Sequence, residues 1–255
     1  MDLLFLGTGT SHGIPVIGCA CAVCRSDDPR NRRLRPSVLV EVDGHTILID
    51  TATDFRQQML DNCVERIDAV LYTHAHADHI FGLDDIRRYN TIQEAVIPAY
   101  ATAPTAAILR RTFAYIFCAD PPHPPGMGWP VVDLTEIDGP FDLLGQRITP
   151  VPVKHGRWDI VGYRIGGLAY VTDVSAIPDA SRPLLADLDV LVIDALRRRP
   201  HPTHFCLDQT LAEIARLRPR RAYLTHMCHD MEHAAVSADL PDGVALAYDG
   251  LRITV

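Results

Sequence analysis

The chain has 255 residues, and its 47% hydrophobic and 22% charged side chains favour neither a disordered nor a membrane class. A formal net charge of -8 argues against a polyanion held by counterion release, so polymeric nucleic acid is not expected as a partner, whereas small anionic substrates fit. No stretch approaches the roughly 18 consecutive apolar residues of a spanning helix, and the opening MDLLFLGTGTSHG lacks the basic region of a secretory signal, so a cytoplasmic protein is expected.

In chain order, short apolar runs at Leu3–Leu6, Ser37–Val42, Thr46–Ile49 and Ala69–Tyr72 read as strands. Helical spacing marks Asp54–Asp61, Leu83–Gln93 and Thr105–Phe117. The segment Ala119–Pro130, ADPPHPPGMGWP, is too rich in Pro and Gly for either and reads as a loop. Strands return at Leu168–Val171, Val190–Ile193 and Ala222–Leu224, with a helix at Leu207–Leu217. This order suits two sheets packed face to face with helices outside, in a single domain spanning residues 1–255. Asp50, His74, Asp173, Asp194 and His226 each follow a strand run, so reactive side chains gather at strand ends.

The strongest signal is Thr73–His79, THAHADH, directly after a buried-type strand. In an extended segment His74 and His76 point the same way and can share one metal, while Asp78 and His79 at the following turn can reach a second. Two metals need more ligands than this motif holds, and a bridging carboxylate would fix their separation. His155 in PVKHG, Asp173 in AYVTDVS and His226 in AYLTHMCH are the candidates.

Seven cysteines is an odd number for a disulfide framework, and three of them form C-x-C-x-x-C at Cys19, Cys21 and Cys24. Apolar packing does not explain three adjacent thiols, so this loop is expected to hold a structural zinc. His229 is the best candidate for the fourth ligand and Cys228 the runner-up. A redox pair competes, but a thioredoxin-like C-x-x-C opens a helix after a strand and this segment does not. Cys63, Cys118 and Cys206 are expected to be small buried side chains. The arginines Arg30, Arg32, Arg33 and Arg35 are open as anion contacts, whereas Arg197–Arg199 and Arg218–Arg221 read as solvated faces or helix ends.

THAHADH together with His155, Asp173, His226 and the upstream LID ending at Asp50 resembles the metallo-β-lactamase superfamily, across nearly the whole chain. The resemblance implies an α/β fold, the four-layer αββα sandwich. It places His74, His76 and His155 on one metal and Asp78, His79 and His226 on the other, with Asp173 bridging. Asp50 then supports the metal loop without binding metal. GTGTSHG, the cysteine loop followed by DPRNRRLRPS, and the closing THMCH narrow the likeness to the cyclic-phosphate phosphodiesterases of bacterial phosphonate breakdown.

That subgroup implies two active-site divalent metals, zinc or manganese, beside one structural zinc. It implies a homodimer and a small phosphodiester substrate such as a cyclic ribosyl phosphate. It also implies a further histidine that touches the phosphate. By position this is His204 in PTHFCLD, with His201 a weaker second choice. The expected chemistry is attack on phosphorus by a metal-bridging hydroxide oriented by Asp78, with His204 stabilising or protonating the leaving oxygen. The same site could open a thioester or lactone, or process transfer-RNA 3′ ends, and an accessory role in cofactor synthesis without hydrolysis is the reading from another class.

Overall fold

The computed structural model describes residues 1–117 and 124–255, which form two compact units. The first comprises Met1–Leu6, Ser37–Asp138 and Arg252–Thr254; the second comprises Gly7–Pro36 and Gly139–Leu251 with Val255. Among the described residues no helix is long and apolar enough to cross a membrane.

The first unit is built on the strands β1 (Asp2–Gly7), β2 (Ser37–Val42), β3 (His45–Ile49), β4 (Ala69–Leu71), β5 (Ile97–Thr102) and β6 (Val132–Ile137), with a final strand β14 (Arg252–Thr254). Among the described residues the sheet order is β14-β1-β2-β3-β4-β5-β6. The hairpin β2/β3 is antiparallel, and β3, β4, β5 and β6 run parallel. Parallel strands need both faces covered, which explains the continuous apolar runs ILI and AVL. The helices α1 (Phe55–Asp61), α2 (Ala77–Ile80), α3 (Arg87–Gln93), α4 (Ala103–Thr112) and α5 (Ala114–Phe117) fall between these strands in the chain. Phe55, Met59, Tyr89 and Leu109 from them pack with Leu48 and Val70 into one buried cluster.

Two expected helices are divided. Leu83–Ile86 is a 3-10 turn that precedes α3, and Gly82 at its N-cap is pinned: its N–H donates to Thr51 O at 3.0 Å, and a Cβ there would lie 2.3 Å from Ala52 O. The segment expected as Thr105–Phe117 is α4 and α5, separated by Phe113 at φ -111°, ψ 45°. Cys63, expected to be buried, is exposed, at φ 51° in the turn after α1. Cys118 and residues 119–123 of the expected loop lie outside the described residues; residues 124–130 are turns and bends.

The second unit carries β7 (Phe141–Leu143), β8 (Gln146–His155), β9 (Trp158–Ile165), β10 (Leu168–Val171), β11 (Val190–Asp194), β12 (Arg221–Thr225) and β13 (Val244–Leu246). Their order among the described residues is β13-β12-β11-β10-β9-β8-β7. β7 to β10 form an antiparallel meander and β10 to β13 run parallel. The longest strand, β8, is disguised in the sequence by Pro150 and Pro152. Two residues apart, they direct their missing N–H groups to the same side, away from β9. Lys154, next in that series, donates its N–H to Ala176 O outside the sheet.

On the same unit, α6 (Leu207–Leu217) buries Leu207, Thr210 and Ile214 at helical spacing, and Gln209 caps the N–H of Cys206 at its start. The last helix is α7 (His233–Ala238). Arg33 is buried rather than an anion contact: its guanidinium donates to Cys228 O and Met231 O at 3.2 and 2.6 Å.

Candidate metal centre

In the first unit the histidine motif leaves the end of β4 as extended backbone and turns into α2 at His76. Asp50, the residue after β3, anchors it. Its Oδ1 accepts the Thr73 N–H at 2.8 Å, and its Oδ2 accepts the Thr73 hydroxyl and the His79 Nδ1–H, both at 2.7 Å. Burial pushes the Asp50 carboxyl above the ordinary range, and His79 and Thr73 oppose that push. With Nδ1 engaged, His79 presents Nε2, which lies 3.4 Å from Asp78 Oδ2. His74 Nε2 lies 3.0 Å from His76 Nδ1. The motif therefore supplies two pairs of donor atoms, each converging on a point.

In the second unit Asp173, two residues past the end of β10, divides its oxygens. Oδ1 lies 3.1 Å from His226 Nε2, and Oδ2 lies 3.9 Å from His155 Nε2. His155 ends β8 and its Nδ1 donates to Thr203 O at 2.8 Å, which leaves Nε2 as the lone-pair nitrogen. Burial lowers the basicity of the His155 imidazole and so favours the neutral, ligating form. His204 is oriented the same way: its Nδ1 donates to Asp194 Oδ2 at 2.8 Å, an oxygen that also accepts the Val174 N–H. The His204 ring stacks on His226, with centroids 4.7 Å apart at 17°. His201 lies beside it at 5.2 Å and meets Thr203 through Nδ1.

Asp50, Asp173 and His226 share a backbone feature, with φ values of 65°, 55° and 60° just beyond β3, β10 and β12. The left-handed region is costly for side chains with a Cβ. Here it turns a polar group away from the strand end that precedes it, in each case within two residues of a short apolar stretch, ILI, AYV or AYL.

A separate cluster lies wholly within the second unit. His229 Nδ1 is 3.3, 3.8 and 3.5 Å from the sulfurs of Cys19, Cys21 and Cys24. Cys228 is not in this group; its sulfur accepts the Asp230 N–H. Two amides donate to sulfur, Cys24 N–H to Cys21 and Val16 N–H to Cys24, both at 3.4 Å. The amide of Cys24 holds the Cys21 thiol below the ordinary range, and burial pushes Cys24 up to about 11. Three sulfurs and one imidazole within a few ångströms fit a tetrahedral zinc. The histidine and aspartate sets, with Nδ1 groups tied back by Asp50 and Thr203, fit harder divalent cations or zinc.

The fold and these donor sets define a class. Residues 45–227 match the Beta-lactamase superfamily domain, and the chain belongs to that superfamily. It has the metallo-β-lactamase fold, two mixed sheets flanked by helices in the αββα arrangement, and members of that superfamily are typically divalent-metal hydrolases. Over 100% of its length it is similar to the crystal structure of a diphosphatase from the PhnP family, at 45% identity, 97% coverage of that chain and a TM-score of 0.92. It is 36% identical to an octanoyltransferase of Porphyromonas gingivalis, a match covering all of this chain and 52% of the relative, so the chain spans about half that protein's length. Zinc-bound PqqB from Methylobacterium extorquens shares the fold, with both chains covered in full, at 20% identity and a TM-score of 0.80.

Two supports were not assigned roles in the sequence. Asp194 ends LVID as Asp50 ends ILID, and that repeated pattern is the signal that marks it. The carbonyl of Thr203 carries no signal, because any residue there supplies one.

Proposed function

We propose that the chain is a dinuclear phosphodiesterase acting on small cyclic or nucleotide-type phosphodiesters. His74, His76 and His155 would hold one metal, and Asp78, His79 and His226 the other. The observation that carries this is Asp173, whose two oxygens face His155 Nε2 and His226 Nε2, the disposition of a bridging carboxylate. Cys19, Cys21, Cys24 and His229 would hold a structural zinc. The three unbridged thiols suit a reducing compartment such as the cytoplasm. The diphosphatase likeness at 45% identity supports phosphate ester chemistry over carboxylic ester chemistry.

Bound divalent cations supply Lewis acidity, making water more acidic and offsetting negative charge on phosphate. The chain's own groups do the rest. Asp78 accepts a hydrogen bond from the attacking water and sets its direction. Asp194 keeps hydrogen on His204 Nδ1, so Nε2 is the nitrogen that handles the mobile proton. Protonated there, His204 donates to the departing oxygen. Burial keeps His155 neutral, so no like charge competes with a cation.

The test is a rate comparison between phosphodiesters and thioesters at equal metal loading, with metal content measured alongside. Faster phosphodiester turnover that falls with metal depletion and in His76→Ala is expected. A thioester preference overturns the assignment, and hydrolysis of neither class returns the chain to an accessory role.

A further inference from the structure

Three large aromatic rings stand in water beside α2. Phe81, the C-cap of that helix, is 52% exposed, Tyr115 44% and Trp129 43%. Buried Phe113 joins them. Phe81 meets it edge to face at 6.2 Å and 88°, Tyr115 meets it at 6.5 Å and 65°, and Trp129 meets Tyr115 at 6.1 Å and 55°. The Tyr115 hydroxyl donates to Asp84 at 2.6 Å, and Asp84 is paired with Arg87, so this ring is held in place. Scattered apolar side chains on a surface need no explanation, but a linked row of rings kept in water marks a binding surface.

The row begins at the metal motif. Phe81 stands three residues after Asp78 around one helical turn, where side chains at that spacing are neighbours. Edge-to-face contact uses the edge of one ring and the face of the next, which leaves flat π surface open to a ligand. A nucleobase offers such a surface, and its sugar links it to a phosphate a few bonds away. Resting on the proposed phosphodiesterase activity, we infer that Phe81, Tyr115 and Trp129 form a stacking platform for the nucleobase of the phosphodiester substrate. The net charge of -8 selects a small nucleotide over a polymer.

The test compares a cyclic adenosine phosphate with the matching cyclic phosphate of methyl riboside, which lacks the base. The intact protein is expected to favour the adenosine compound about tenfold in kcat/KM, about 1.4 kcal/mol, mainly through KM. Phe81→Ala and Tyr115→Ala erase the preference and Phe81→Tyr keeps it; equal losses on both substrates overturn the platform. A second arm is independent of turnover. The chain has two tryptophans, so Trp158→Phe leaves Trp129 as the reporter. Quenching by adenosine monophosphate and not by ribose phosphate supports stacking, and an equal response to both overturns it. If neither cyclic phosphate is hydrolysed, the phosphodiesterase assignment fails while the fluorescence arm still decides the platform.

Discussion

His79 Nδ1 and Asp50 Oδ2 are 2.7 Å apart, and neither side chain is reached by solvent. The contact fixes the imidazole so that its other nitrogen faces Asp78. Such supporting carboxylates are worth about 10- to 100-fold in metal affinity. Asp50→Ala is therefore expected to weaken active-site metal binding by that factor and to lower the melting temperature, because Thr73 loses both acceptors. Metal titration of the purified variant checks this, and wild-type affinity would show that Asp50 is only structural.

The pair His204 and Asp194 predicts a different signature. His204→Gln is expected to lower kcat about 100-fold with metal content retained. Asp194→Asn is expected to cost less and to move the pH profile of kcat, since the imidazole loses its fixed tautomer. An unmoved pH profile in Asp194→Asn would count against a proton-handling role for His204.

At the cysteine loop, Cys21→Ser is expected to remove one zinc per chain and lower the melting temperature, while Cys228→Ser keeps it, because its sulfur stands outside the cluster. Cys24, with its thiol raised to about 11, holds its proton at neutral pH until metal displaces it. Zinc titration in two buffers of unequal ionisation enthalpy then shows proton release, and heats that do not depend on the buffer contradict this.

Asp249 gives a pH dependence of stability. Its carboxylate accepts the N–H and hydroxyl of Thr8 at 2.9 and 2.7 Å and the N–H of Leu34 at 2.6 Å, and burial raises it to about 7. In the unfolded chain the group ionises near about 3.9. A raised folded value means that the unfolded state loses its proton first as pH rises. Stability from this group is thus fully present below about pH 4, declines up to pH 7 and is level above. Asp249→Asn, which cannot ionise, is expected to gain on the native protein across that interval by a few kcal/mol, on the order of 1.4 kcal/mol per pH unit. Thermal melts at pH 5 and pH 7.5 measure it, and a constant difference between the two proteins would refute it.

Much of the site was legible because its spacing is local. His74, His76, Asp78 and His79 fall within one strand end and one helical turn, and the three cysteines within one loop. Asp50 was legible as a support only through the family likeness, and the others were less visible because they act across the fold: Asp194 meets His204 from 10 positions away, and Thr203 meets His155 from 48. The parallel strands β3, β4, β10, β11 and β12 declared themselves by apolar runs, whereas β5 and β6, IPAYAT and VDLTEI, have polar or proline residues between their apolar ones and went unmarked. β8 went unmarked too, since Pro150 and Pro152 look like strand breakers until the sheet shows that their N–H groups were never needed. The division of Leu83–Gln93 after Ile86 was equally hidden, since both pieces lie in one run of helical spacing.

The left-handed backbone at Asp50, Asp173 and His226 bears on how this protein would respond to engineering. Each position carries a conformational cost of about 1 to 2 kcal/mol that Gly would relieve. A directed-evolution screen scored on heat resistance alone would accept Gly at Asp173 and His226, where the survivors would lose their chemistry, whereas at Asp50 the three hydrogen bonds lost from Thr73 and His79 outweigh the relief. Screens for robust variants of this chain must therefore select on turnover and melting together, or hold the codons of Asp173 and His226 fixed.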